Sequence, residues 1–117
     1  MIPSFDLSNQ HVVITGAARG IGAAIAHLLA SVNADLTLVG RNKDALTNMA
    51  MQLPGNGRRF IHALDISIHQ DVENVLNEAV QTIGPINVLV NNAGQAQSSS
   101  LEKISEHFWS QMLSVNL

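Results

Sequence analysis

The sequence predicts an α/β fold, a parallel sheet doubly wound by helices on both faces. Two observations carry that prediction. Apolar segments of five or six residues rich in β-branched side chains alternate with longer segments whose apolar residues recur at helical spacing. The first strand-to-helix junction, "TGAARGIG" at 15–22, also concentrates three glycines where the chain must turn sharply.

Taken in order, "HVVIT" (11–15) reads as the first strand. The segment after it puts Ile21, Ile25, Leu28, Leu29 and Val32 on one helical face, the face expected to turn inward. Asn33 closes that helix where a residue tolerant of left-handed geometry is needed. "DLTLVG" (35–40) is the second strand. A second helix is predicted from Lys43 to Leu53, with Leu46, Met49 and Leu53 inward, stopped by "PGNG" at 54–57.

"RFIHAL" (59–64) is the third strand, and Ser67 and Gln70 after it stand at capping-box spacing. The helix they open carries Val72, Val75, Leu76, Ala79, Val80 and Ile83 on one stripe, and Gly84-Pro85 ends it. "INVLVN" (86–91), almost continuously apolar, is a fourth strand of the buried parallel kind. After "NAGQAQSSS" (92–100) a last helical pattern begins near Ser105 and is still running at Leu117.

Composition bounds the function. A length of 117 residues suits one domain, and 46% apolar against 13% charged residues is a globular balance. Six Lys+Arg against nine Asp+Glu leave a net charge of -3, which argues against nucleic-acid or anionic-membrane partners. Absence of cysteine excludes disulfides, thiolate nucleophiles and thiolate-held zinc. The opening "MIPSFDLSNQ" has neither a basic nor an apolar leader region, and no apolar run reaches membrane-spanning length, so a cytoplasmic location is expected. The five histidines share no spacing suggestive of a metal site, and none is expected.

A glycine-bearing turn between strand and helix lets backbone approach a ligand closely, and the helix N-terminus adds unpaired N–H groups and partial positive charge. A pyrophosphate suits such a turn. The general G-x-G-x-x-G fingerprint is not met, because Ile25 stands where its last glycine would be. The pattern is instead T-G-x-x-x-G-x-G at Thr15, Gly16, Gly20 and Gly22.

With "LDI" at 64–66, "NNAG" at 91–94 and "VNL" at 115–117, this pattern resembles the short-chain dehydrogenase/reductase family over nearly the whole chain. The resemblance implies a Rossmann-type sheet of strand order 3-2-1-4, with later strands missing from these residues. It implies that Gly16, Gly20, Ile21 and Gly22 form the pyrophosphate turn and that Asp65 and Ile66 hold the adenine. Asn92, Ala93 and Gly94 fall where the nicotinamide-side ribose rests, while Thr15 and Asn91 are expected to brace turn and sheet.

NAD-binding members of this fold class place an acid near the end of the second strand, where it accepts from the ribose 2′-hydroxyl. Here that end reads "LVGRN", with Gly40 and Arg41 in place of a carboxylate and Lys43 close behind. Arg41, joined by Arg19 from the glycine turn, would welcome a 2′-phosphate, so NADP(H) is favoured over NAD(H).

The family's reaction passes a hydride between nicotinamide and a carbonyl or alcohol carbon of a small-molecule substrate. A tyrosine handles the oxygen's proton, a lysine lowers that tyrosine's pKa, a serine orients substrate, and an asparagine holds a relay water. Asn116 matches the asparagine, and the other three would lie past Leu117. With no tyrosine among its residues, the chain alone is expected to be inactive. The resemblance further implies a homo-oligomer paired through the helix that begins near Ser105. Two readings stand: the cofactor-binding part of an NADP(H)-dependent oxidoreductase, or a non-catalytic nucleotide-binding module stabilised by self-association or a partner.

Overall fold

In the computed structural model, residues 5–65 and 68–92 are described. Four strands and three helices alternate: β1 (His11–Thr15), α1 (Gly20–Ser31), β2 (Asp35–Gly40), α2 (Lys43–Met51), β3 (Arg59–Ala63), α3 (His69–Thr82) and β4 (Val88–Asn91). The strands are parallel, as the sequence pattern predicts, and ordered β3-β2-β1-β4, as the family resemblance implies. His11 registers with Asp35 and Thr15 with both Val39 and Asn91, so the strands start and finish at common levels. Because the chain moves outward from β1 to β3 and then returns to β1's other side, β1 and β4 flank the point where the winding reverses.

Alternation along the strands builds two apolar layers. Val12, Ile14, Leu36 and Leu38 face Ala26, Ala30, Leu46 and Ala50 of α1 and α2. Val13 and Val39 face Val75 and Leu76 of α3, with Ile86 completing that layer.

The buried face of α1 differs from the expected one. Gly22, Ala26 and Ala30 are its buried residues, while Ile21 is 71% and Leu28 66% exposed. Ile25 and Leu29 pack only partly against the core. Small residues four apart let the helix axis approach the sheet, and the bulky residues are displaced to its flanks. Asn33 does adopt the left-handed conformation, φ 71°.

Smaller differences have local causes. α2 stops at Met51, two residues early, although Leu53 remains buried. β4 begins at Val88 because Asn87 meets β1 by other means: its backbone N–H donates to the His11 carbonyl and its Oδ1 accepts from the His11 N–H, both at 2.8 Å. Ile68 occupies the N-cap of α3 and Ser67 lies outside the described residues, as does the helix expected from Ser105 onward. On α3, Val80 sits on the solvent side at 42% exposure, off the predicted inward stripe. No helix among the described residues is long and apolar enough to cross a membrane.

Candidate cofactor site

The candidate site is built at the carboxyl end of the sheet, where β1 passes through Gly16–Arg19 into α1. Gly16 and Gly20 have φ of 63° and 62°, the left-handed region in which a side chain is strained. Gly22 serves a different purpose. A Cβ there would overlap the Gly16 carbonyl oxygen and stand 2.6 Å from the Asn92 side-chain nitrogen, so only glycine lets the first turn of α1 close onto the strand end. Around the Cβ position of Gly20, by contrast, there is open space.

Polar side chains from β1 and β4 fix this turn. The Thr15 hydroxyl donates to Asn91 Oδ1 at 3.1 Å and accepts the Asn92 N–H at 3.0 Å. The Asn92 amide donates to the Gly16 carbonyl at 3.2 Å. The Ala17 N–H donates to the Val39 carbonyl at 3.1 Å, tying the turn to β2 as well. Bracing by Thr15 and Asn91 is as expected; the direct hold of Asn92 on the glycine turn is not legible without the β1–β4 pairing.

The N-terminus of α1 is suited to an anion. Its N-cap, Arg19, supplies no side-chain acceptor and its first turn holds no acid. The N-cap of α2, Asn42, accepts from Ala45 N–H, and α2 and α3 carry Asp44 and Asp71 in their first turns. Among the described helices α1 alone lacks both devices, which leaves its N-terminal positive potential uncompensated from within.

Arg41 directly follows β2, and Asp65 lies two residues beyond β3, the neighbouring strand. Adjacency of the two strands brings the side chains together as an ion pair of 3.8 Å, with exposures of 68% and 46%. Arg19 and Ile21 are exposed at the start of α1. Ile66, Ala93, Gly94 and Asn116 lie outside the described residues. No group of three or more His, Asp or Glu that could hold a metal occurs among the described residues.

A parallel α/β sheet of order 3-2-1-4, with its glycine turn at the winding reversal, is a Rossmann-type domain. A family model described as short chain dehydrogenase matches residues 10–117, and the chain belongs to that family. It is 37% identical over 111 residues to an uncharacterized oxidoreductase of Staphylococcus aureus strain MRSA252, a match covering 95% of this chain and 48% of that one. The chain thus spans about half the length of the curated relatives it matches. L-sorbose reductase from Gluconobacter frateurii, complexed with NADPH and L-sorbose, aligns with a TM-score of 0.72 at 34% identity, over 79% of this chain and 36% of that one. A metagenomic short-chain oxidoreductase in complex with NADP aligns with a TM-score of 0.67 at 38% identity, over 75% of this chain and 40% of that one.

Proposed function

We propose that this chain is the cofactor-binding part of an NADP(H)-dependent oxidoreductase acting on a small-molecule carbonyl or alcohol. The observation that carries the reading is the glycine turn: closed on one side by the overlap a Cβ at Gly22 would cause, and open on the other beside Gly20. A turn of this shape, backed by an uncompensated helix N-terminus, suits the diphosphate of a dinucleotide.

In this reading Gly16, Gly20, Ile21 and Gly22 hold the pyrophosphate. Asp65 and Ile66 hold the adenine, and Asn92, Ala93 and Gly94 the nicotinamide-side ribose. Arg19 and Arg41 engage the 2′-phosphate, the preference being supported by the arginine after β2 and by the NADPH and NADP bound to two relatives. When bound, the cofactor supplies or accepts the hydride. The protein's part is orientation: Thr15, Asn91 and Asn92 lock the turn through the bonds described above, so donors are aimed before ligand arrives. Asn116 is assigned to the proton relay. The tyrosine the reaction needs has no counterpart among the 117 residues, so this chain by itself binds cofactor without turning it over. The working protein is a cytoplasmic homo-oligomer.

Titration of the chain with NADPH and NADH tests the reading. Loss of one charge-assisted phosphate contact costs about 1.5–3 kcal/mol, so Arg41→Ala weakens NADPH about tenfold or more relative to NADH. Equal weakening of both cofactors would remove Arg41 from the assignment.

A further inference from the structure

Arg41 does not face the site alone. The Asp65 carboxylate stands 3.8 Å from its guanidinium, and both side chains are solvent-accessible. We propose that Asp65 is a specificity-determining residue that moderates the preference for the 2′-phosphate by offsetting part of the charge of Arg41. The inference rests on the assignment of Arg41 to the 2′-phosphate.

The argument is electrostatic. An anion about 4 Å from the guanidinium, on the side away from Asp65, feels the carboxylate at roughly twice that distance, and about half of the arginine's attraction is cancelled. Both distances fall within the screening length of roughly 8 Å at physiological salt, so the opposition persists there. A ribose 2′-hydroxyl carries no net charge and can donate to a carboxylate, so the same balance does not penalise it. Asp65 therefore acts on the difference between the two cofactors, whatever it contributes to the adenine, which both share.

The position makes the residue separable from folding. Asp65 is exposed, lies past the end of β3, and stands outside both apolar layers. Asp65→Asn removes the charge while keeping the side chain's size.

The experiment is a double-mutant cycle on the 117-residue chain, reading the ratio of NADH to NADPH dissociation constants in wild type, Asp65→Asn, Arg41→Ala and the double variant. Any effect of Asp65 on the shared adenosine cancels in that ratio. The expected result is a rise of about two- to fivefold toward NADPH in Asp65→Asn, the scale of an exposed ion pair, shrinking to near unity when Arg41 is already alanine. A ratio unchanged or lowered by Asp65→Asn, or a rise that persists without Arg41, overturns the inference alone. A wild-type chain that binds neither cofactor, or whose ratio ignores Arg41→Ala, overturns the reading of the site and this inference with it.

Discussion

The two ends of the sheet are built by opposite rules. At the carboxyl end Thr15, Asn91 and Asn92 brace a glycine turn, and the space beside Gly20 is open. At the amino end the starts of β1 and β2, His11 and Asp35, are buried and hydrogen-bonded through their side chains. His11 is buried between the end of α3 and β2: its ring meets the Gly84 carbonyl through Nδ1 at 2.9 Å and the Thr37 hydroxyl through Nε2 at 2.7 Å. A carbonyl can only accept, so Nδ1 carries the proton and Nε2 accepts from Thr37. Beside it, buried Asp35 accepts from the Arg58 backbone at 2.7 Å and from its guanidinium at 3.0 Å, and the same guanidinium donates to the Ile83 carbonyl at 2.9 Å. Arg58 thus satisfies the carbonyl of Ile83, the C-cap of α3, which helix geometry leaves without an intrahelical donor, and His11 satisfies that of Gly84 just beyond it. One end leaves open space beside its glycine turn, and the other buries His11 and Asp35 between strands and helix.

Substitutions break this contrast in different ways. The largest effect is expected from Gly22→Ala at the open end. Its added Cβ meets the Gly16 backbone as well as the Asn92 side chain, and because backbone cannot swing aside the turn must shift off β1. A loss of about 3 kcal/mol in unfolding free energy is expected, together with loss of nucleotide binding. Urea unfolding and NADPH titration check both, and a chain of unaltered stability would contradict the close approach of α1.

Next is His11→Ala, at the sealed end. It removes one buried and one part-buried hydrogen bond and leaves a cavity beside Thr37, a cost of about 2–3 kcal/mol, yet the folded fraction binds NADPH with unchanged affinity. A selective loss of affinity would show that the ends are coupled.

The smallest effect is in acid. Burial pushes His11 below the ordinary histidine value, against the pull of the Gly84 carbonyl and Asp35, with Arg58 adding to the depression. The folded state therefore binds fewer protons than the unfolded chain, and stability falls as pH drops below about 6.5, where unfolded histidine protonates. Burial alone would raise Asp35, but the side-chain and backbone bonds and the charge of Arg58 outweigh it and hold the carboxyl low. Its stabilisation is present above the unfolded aspartate value and is lost as pH falls through the depressed folded one. Thermal midpoints between pH 8 and 5 should show the first decline in wild type and a flatter profile in His11→Gln; an equal slope in both would assign the decline elsewhere.

The open end was the more legible in sequence, and the reason is distance along the chain. Gly16, Gly20 and Gly22 are contiguous with a strand and a helix, so their use can be inferred locally, and "LVGRN" exposes the missing carboxylate in the same way. The sealed end joins His11 to Gly84 and Asn87, 73 and 76 positions away, and only the β1–β4 register makes them neighbours. The Arg41–Asp65 pair likewise depends on β2 and β3 lying side by side. Strand positions are readable because these short runs are rich in β-branched residues and bounded by turn signals such as "PGNG" before β3 and Gly84-Pro85 before β4. Periodicity points to the wrong inward face of α1 because it weighs bulk, whereas a helix held close to the sheet selects Gly22, Ala26 and Ala30 for lack of it.

The most direct test of the division between the two ends is a backbone amide NMR titration of the ¹⁵N-labelled chain with NADPH. Shifts concentrated at Gly16, Gly20, Gly22, Arg41 and Asn92, with His11, Gly84 and Asn87 unmoved, are the expected result. Shifts centred on the amino end, or none at the glycine turn, would contradict it.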